Sequence, residues 1–253
     1  MIWGEFDIQN GVHHWQAPNL GDEHAYLMAR KKEGRILSDL EVADLPRLPK
    51  NHPLYNEWQK RRDTAKRFKA YLKMNSFTSA LDIGCGNGWF TKRISESPGM
   101  EQVIGLDVNL PELEQAARVF PDEKIRWFLS DIFCWEKQNI QFDLIVLNAS
   151  IQYFSSVSRL LTHCKQLLNP DGELHILDSP FYHAEELVAA RMRSREYYKS
   201  IGVPDMIQNY HHHNWDSVRE FEVLYHPSRA IYKALTKPNA SPFPWLCFKK
   251  KTT

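Results

Sequence analysis

The clearest chemical signal in this chain is the glycine-rich run LDIGCGNG at residues 81–88. Glycine adopts backbone angles that other residues avoid, and it lets a ligand approach the main chain closely. An apolar strand that breaks into such a turn and then into a helix directs backbone N–H groups and the positive end of a helix dipole into one crevice. The run therefore predicts a binding site for a nucleotide-like ligand at the end of a strand.

Two acids follow the glycine turn at the ends of further apolar runs. Asp107 closes the run VIGLD at 103–107, and Asp131 follows FLS at 128–130. A carboxylate fixed at a strand end offers two acceptor oxygens to a ligand bound at the glycine turn. Either acid alone could cap a helix or lie on the surface, but its position after the glycine turn favours the binding interpretation.

Four features in this order resemble the class I S-adenosylmethionine-dependent methyltransferases: the glycine turn, the strand ending in Asp107, the acid Asp131 and the run FDLIVLNAS at 142–150. The resemblance implies S-adenosyl-L-methionine as the cofactor. It implies that Asp107 binds the ribose of this donor, that Asp131 contacts the adenine amino group and that the next apolar residue packs on the ring. The residues expected at the donor are Asp82, Gly84, Cys85, Gly86, Asp107, Val108, Asp131, Ile132 and Asn148.

A nicotinamide-binding domain shares the order of strand, glycine turn, helix and acid, so it is the main alternative for the donor site. Such a domain uses the spacing Gly-x-Gly-x-x-Gly and begins near the N-terminus, with no acid before the first glycine. Here Asp82 precedes Gly84, and the later acid Asp131 is present. These differences favour the methyl donor.

The methyl acceptor is less well defined. Methyltransferases that act on exocyclic amines of nucleic acids carry an Asp/Asn-Pro-Pro-aromatic signature after the fourth strand, whereas this chain reads NASI at 148–151. We expect three residues in catalysis: Asn148, Asp178 and His211. We expect three more to contact the acceptor: Tyr153, Tyr182 and His183. For Asp178 the alternative is a structural ion pair. For Tyr153 it is a packing role, and for His211 it is a position in a solvent-exposed loop.

Composition and charge restrict the class of protein. The chain has 32 basic and 31 acidic residues, so no global charge attracts it to nucleic acid or to an anionic membrane. No signal peptide and no apolar run of about 20 residues is evident. The four cysteines are dispersed, which favours reduced thiols in a cytoplasmic protein. The consecutive residues His211, His212 and His213 cannot all face one ion in regular structure, and we expect no metal site.

The elements that must position these residues alternate as in an α/β protein. We predict a doubly wound, Rossmann-like sheet of seven mostly parallel strands flanked by helices. The expected strands are 80–83, 103–107, 125–129, 144–148, 174–177, 221–225 and 245–248. The expected helices are 54–74, 89–97, 111–120, 156–168 and 184–200, with a turn at 169–172.

Two segments lie outside this alternation. Residues 1–53 are predicted to form an N-terminal arm with a small hairpin at Asn10-Gly11, ahead of a methyltransferase domain over 54–253. Residues 179–217 interrupt the late strands, and we expect them to form a helical lid over the acceptor.

The resemblance therefore predicts a methyltransferase that transfers a methyl group by in-line displacement. Balanced charge and an enclosing lid favour a small-molecule acceptor. One alternative is an RNA or protein methyltransferase that docks its substrate on the basic helix near Arg61 and Arg67. Another is a non-catalytic module that binds S-adenosylmethionine. The sequence does not indicate an oligomeric state.

Overall fold

The computed structural model describes residues 6–15, 23–135, 140–227 and 240–251. Parts of the expected arm, 1–5 and 16–22, lie outside the described residues. The strands are β1 (Asp7–Gln9), β2 (Val12–His14), β3 (Ser79–Ile83), β4 (Gln102–Asp107), β5 (Ile125–Leu129), β6 (Phe142–Asn148), β7 (Leu168–Leu177), β8 (Phe181–Tyr182), β9 (His213–Asn214), β10 (Glu222–Tyr225) and β11 (Trp245–Lys249). The α-helices are α1 (Glu23–Lys32), α2 (Asp39–Asp44), α3 (Tyr55–Met74), α4 (Trp89–Ser95), α5 (Leu110–Val119), α6 (Val157–Gln166) and α7 (Leu187–Ser200).

The central sheet confirms the doubly wound α/β fold. Its strand order is β1-β2-β5-β4-β3-β6-β7-β11-β10. The pairs from β2 to β7 are parallel, while β1, β11 and β10 pair antiparallel. Helical crossovers connect the parallel strands and cover both faces, as a buried parallel sheet requires.

The predicted number of strands, seven, is wrong because the sheet has nine strands among the described residues. The two additional strands form the expected hairpin near the N-terminus, whose second strand β2 pairs in parallel with β5. The hairpin covers backbone groups that would otherwise form an open sheet edge at β5. This part of the arm is thus continuous with the central sheet.

Two apolar layers hold the sheet between its helices. Successive side chains of a strand point to opposite faces, and accordingly Ala80 packs in the layer beneath α3, α4 and α5 while Leu81 packs in the layer beneath α6. Both residues are completely buried. The sheet is therefore a rigid platform whose strand ends are fixed relative to one another.

The turn predicted at 169–172 is an interruption within β7. Phe142 of β6 pairs with Leu168, and two residues later Leu144 pairs with Glu173. The extra residues of β7 bulge out between these pairs, and Asp171 takes a positive φ of 62° there. The sequence predicted this turn ahead of the strand that became β7. Instead, β6 pairs with residues of β7 both before and after the turn.

Residues 179–217, called the lid segment from here, pack against the N-terminal helix α1. Ala29 of α1 shares a small apolar cluster with Tyr198, Val203 and Met206 of the lid segment. The short strands β8 and β9 pair in parallel at the base of the segment. Within the described ranges, no helix has the length and apolar character needed to cross a membrane.

Candidate active site

A cavity of about 1140 Å³ opens at the carboxyl ends of the central strands. Residues at or just beyond the ends of five strands line it: Gly84 after β3, Asp107 of β4, Asp131 after β5, Asn148 of β6 and Asp178 after β7. Helix α1, the first turns of α3 and the lid segment form the remaining walls. This is the edge at which open α/β sheets bind their ligands.

The glycine turn can be formed only with glycine at its close contacts. Gly84 has a φ of 71°, and a Cβ atom there would lie 2.5 Å from the Cβ atom of Ser150. Gly88 has a φ of 75°, and its added Cβ would lie 2.4 Å from the Trp127 ring. Side chains would thus both strain the backbone and displace the packed neighbours. The turn presents bare backbone to the cavity.

Asp107 connects the glycine turn to β4. Its Oδ2 accepts a hydrogen bond from the Gly86 N–H at 2.7 Å, and its Oδ1 accepts one from the Asn109 N–H at 2.9 Å. Burial raises the pKa of Asp107 to about 6; the nearby charge of Glu112 adds to this effect and the N–H of Gly86 opposes it. Each oxygen keeps a second lone pair, so the carboxylate can still accept two hydroxyl donors.

The next part of the cavity wall combines one acid with apolar surface. Asp131 accepts the Phe133 N–H on Oδ1 at 3.0 Å, which fixes the carboxylate. Val108 and Ile132 line the same cavity, and Cys85 lies on the glycine turn itself. An acceptor oxygen beside apolar side chains suits an aromatic ring that carries an amino group.

Asp82 does not line the cavity, contrary to the expectation that it contacts the donor. It is 1% exposed, and its Oδ2 accepts the Thr91 hydroxyl of α4 at 2.7 Å. Burial raises its pKa to about 7, partly offset by that hydrogen bond. The side chain is directed beneath α4, where it holds the helix against β3 and thereby positions the glycine turn.

Asn148 and Asp178 lie side by side because β6 and β7 are neighbours. Asn148 pairs with Leu177, and the Ala149 N–H donates to the Leu177 carbonyl at 2.9 Å. Ala149 and Asp178 both take positive φ values, 55° and 47°, so the two chains turn sharply where their strands end. Asp178 Oδ1 accepts the hydroxyls of Thr64 at 2.7 Å and Ser241 at 3.0 Å.

Tyrosines form the wall opposite the strand ends. The Tyr153 ring meets Tyr26 of α1 edge-on at 5.4 Å and Tyr210 of the lid segment at 6.1 Å. His211 also lines the cavity, its backbone N–H donates to the Gln152 carbonyl at 2.7 Å, and burial lowers its pKa. Tyr153 and His211 thus lie on the cavity, as expected.

Tyr182 and His183 do not line the cavity, and their expected contact with the acceptor stays a prediction. Tyr182 belongs to β8 and its ring lies 5.4 Å from His212. His183 precedes a 3₁₀ turn and its ring lies 6.5 Å from Trp215. Pairing of β8 with β9 holds both residues at the base of the lid segment.

Sequence reasoning missed cavity residues that come from α1 and α3. The Tyr26 hydroxyl donates to Glu112 at 3.2 Å, and Arg30 pairs with the same carboxylate at 3.6 Å. Trp58 is 7% exposed, lines the cavity and packs edge-on against Trp89 at 5.1 Å. Its indole N–H has no partner among the described residues. Trp58 matched the apolar stripe of an amphipathic helix, a pattern that does not distinguish a core position from a cavity wall.

A second cluster, Glu173, His175 and Cys247, has the residue types of a metal site. Trp245 donates to His175 Nδ1 at 3.0 Å, so His175 Nε2 carries the proton that is given to Glu173 at 2.9 Å. Lys249 lies 2.6 Å from the other oxygen of Glu173. Although burial opposes it, these donors lower the pKa of Glu173 to about 2. The cluster is a satisfied hydrogen-bond network, since its imidazole nitrogens are both engaged.

Comparisons with known proteins agree with this geometry. Residues 80–172 match the family model of a methyltransferase domain. The chain is 27% identical over 125 residues to the malonyl-[acyl-carrier protein] O-methyltransferase of Acetivibrio thermocellus, covering 49% of this chain and 44% of that protein. It is 28% identical over 107 residues to a trans-aconitate 2-methyltransferase of Escherichia coli, covering 42% of this chain and 41% of that protein. The chain thus matches less than half the length of each relative.

Solved structures share the fold over most of the chain. The plantazolicin methyltransferase BpumL, in complex with a monoazolic desmethylPZN analog and SAH, superposes with a TM-score of 0.54 at 13% identity, covering 92% of this chain and 100% of that one. An O-methyltransferase family protein from Burkholderia thailandensis gives 0.53 at 15% identity, covering 91% and 71%. The segment that matches the methyltransferase domain, residues 80–172, contains the glycine turn, Asp107 and Asp131, and the solved methyltransferases share the fold around it.

Proposed function

We propose that the protein transfers a methyl group from S-adenosylmethionine to a small molecule held in the cavity. The proposal rests on one observation. The glycine turn, Asp107 and the tyrosine wall all line one cavity at the strand ends. A nucleoside donor and a second reactant therefore share one enclosed space. The sulfonium of the donor supplies a methyl group that is already activated for transfer.

The ribose, adenine and carboxylate groups of the donor suit successive parts of the cavity wall. Asp107 has two lone pairs for the ribose hydroxyls, and Asp131 with Val108 and Ile132 suits the adenine ring. The unpartnered indole N–H of Trp58 suits the methionine carboxylate, with the glycine turn beside it. Asn148 then faces the region in which the methyl group is transferred.

The chain's contribution to catalysis is mainly alignment. An in-line displacement requires nucleophile, methyl carbon and sulfur on one axis, and near-attack positioning supplies about 7–11 kcal/mol of the barrier reduction. Residues 54–253 form the catalytic domain in this proposal, and the lid segment excludes water from the acceptor. Helix α1 of the arm completes the cover because it packs on the lid segment.

The ion pairs on the basic helix α3 favour a small acceptor over RNA. Arg61 pairs with Glu57 at 3.1 Å, and Arg67 pairs with Asp63 and stacks on the Tyr225 ring at 3.8 Å. These partners neutralise the cations that phosphates would need. Two relatives are named for malonyl-[acyl-carrier protein] and trans-aconitate, which also supports a small reacting group. The dispersed positions of the four cysteines are in keeping with a cytoplasmic enzyme.

Calorimetric titration with S-adenosylhomocysteine tests this function. We expect one binding site, and we expect Asp107→Ala to weaken it at least tenfold because two charge-assisted hydrogen bonds to ribose are lost. Asp216→Ala, at an exposed acid of the lid segment, is the matched control and should bind normally. Absence of binding, or equal affinity in Asp107→Ala, would exclude the proposal. Binding without methyl transfer to any acceptor would instead favour the non-catalytic module.

A further inference from the structure

Three side chains of residues that line the cavity each carry a buried acceptor oxygen with no hydrogen-bond partner within the part of the chain that the structure describes. These oxygens are Asn148 Oδ1, Gln152 Oε1 and Asp178 Oδ2. Each side chain is more than nine-tenths buried, at 9%, 8% and 7% exposure, and each lines the cavity. Buried polar atoms are normally satisfied, so a group of unsatisfied acceptors beside a cavity indicates a ligand that brings donors.

The backbone places these three residues close together at the ends of β6 and β7. Asn148 and Asp178 close adjacent strands, and Gln152 lies in the 3₁₀ turn Ile151–Tyr153 that follows β6. The Gln152 Nε2 donates to the Ala149 carbonyl at 2.6 Å, which fixes the amide with Oε1 as the unpartnered atom. Thr64 and Ser241 both donate to Asp178 Oδ1, which leaves Oδ2 as its unpartnered oxygen.

Resting on the proposed function, we propose that the acceptor is an amine and that the methyl group is transferred to nitrogen. A primary or secondary amine carries the N–H donors that the three oxygens lack. A carboxylate acceptor carries none, and its charge would be repelled by Asp178. The site therefore differs from one built for carboxyl methylation.

The carboxylate of Asp178 accepts the proton that the amine must lose in this reaction. The lone pair of the neutral amine forms the new N–C bond while the methyl C–S bond breaks, and the bonding electrons stay on sulfur as it becomes a neutral thioether. The nitrogen then releases its proton to Asp178 Oδ2, and the carboxylate becomes a carboxylic acid. Burial raises the pKa of Asp178, against the opposing charge of Arg61, which makes the carboxylate a stronger proton acceptor.

Sinefungin tests this assignment directly. In this compound a carbon bearing an amino group replaces the sulfonium sulfur and its methyl, so its N–H donors lie where the methyl and the acceptor nitrogen meet. We expect the wild-type protein to bind sinefungin at least tenfold more tightly than S-adenosylhomocysteine, as a charge-assisted hydrogen bond predicts. Calorimetry with both compounds measures this ratio without a known acceptor.

Asp178→Asn is the decisive variant because it keeps shape and the Oδ1 contacts while it removes the charge. In this variant the ratio of sinefungin affinity to S-adenosylhomocysteine affinity should fall to near one. The melting temperature shows that the variant is folded. Thr64→Val is the control: it disturbs the same contact but keeps the carboxylate, so the preference should persist. A ratio near one in the wild-type protein, or a preference retained in Asp178→Asn, would overturn the amine assignment and leave the methyltransferase standing. Failure to bind either compound would overturn both.

Discussion

The two halves of the cavity that the proposed function assigns to the donor and to the acceptor are built from different kinds of sequence. Residues 81–132 supply the donor half from consecutive strand ends, in which each loop lies directly above its own strand. The acceptor half is assembled from α1, α3, the turn after β6 and the lid segment, which are distant in sequence. The comparison explains why a shared donor site can serve many acceptors, since the two halves can change separately.

We expect the largest effect when alanine substitutions at two glycines are compared, one in the donor half and one in the lid segment. Gly84→Ala places a Cβ 2.5 Å from Ser150 at a positive φ, whereas at Gly202, with a φ of 77°, no atom lies within 4 Å. Gly202→Ala should cost about 1–2 kcal/mol of stability from the backbone alone. Gly84→Ala should cost a further 1–3 kcal/mol or so from overpacking and abolish donor binding.

Denaturant unfolding and calorimetry of the two variants measure this contrast. Equal stability losses in both variants would show that the packing around the glycine turn does not restrict it.

A smaller effect should come from Trp58, the α3 residue that joins the two halves. Trp58→Phe keeps the ring contact with Trp89 but removes the unpartnered N–H. We expect about tenfold weaker binding of S-adenosylhomocysteine, the usual loss for a hydrogen bond to a charged group. Methylthioadenosine, which lacks the carboxylate, should bind both proteins alike. An equal loss for both ligands would mean that the indole N–H does not contact the carboxylate.

The smallest effect is a pH dependence confined to the donor half. Donor hydroxyls bind ionised Asp107, whose pKa is raised to about 6 by burial, so affinity should fall as pH falls through 6. From that pKa we expect about fourfold weaker binding at pH 5.5 than at pH 7.0. Asp107→Asn should bind weakly and without this dependence. Asp82→Asn should retain it, although the pKa of Asp82 is about 7, because Asp82 lies outside the cavity.

Most residues that the sequence assigns to the donor line the cavity, because the signals that single them out are local. A strand, a turn that only glycine can form and an acid at the next strand end keep their relation in any doubly wound sheet. Asp82 shows the limit, since the motif includes it but the strand directs its side chain beneath α4. The number of strands in the sheet was underestimated because the hairpin at Asn10-Gly11 was expected in a separate arm, and its pairing with β5 is a tertiary contact that no local pattern shows.

Of the four aromatic residues that the sequence assigns to the acceptor or to catalysis, only two line the cavity, for a physical reason. Tyr153 and His211 line the cavity while Tyr182 and His183 do not, and this depends on how β8 pairs with β9. Tyr26 and Trp58 lie on helices whose apolar stripes look the same whether they face a core or a cavity. Which of these side chains meet is decided by tertiary packing between segments that no local pattern connects.

A crystal structure with S-adenosylhomocysteine tests the central claim, that one cavity aligns donor and acceptor, most directly. The account predicts the ribose hydroxyls on Asp107, the adenine beside Asp131 and Ile132, the carboxylate at Trp58 and the sulfur facing Asn148. A nucleoside bound outside this cavity, or one bound with its sulfur turned away from Asn148 and the tyrosine wall, would contradict it.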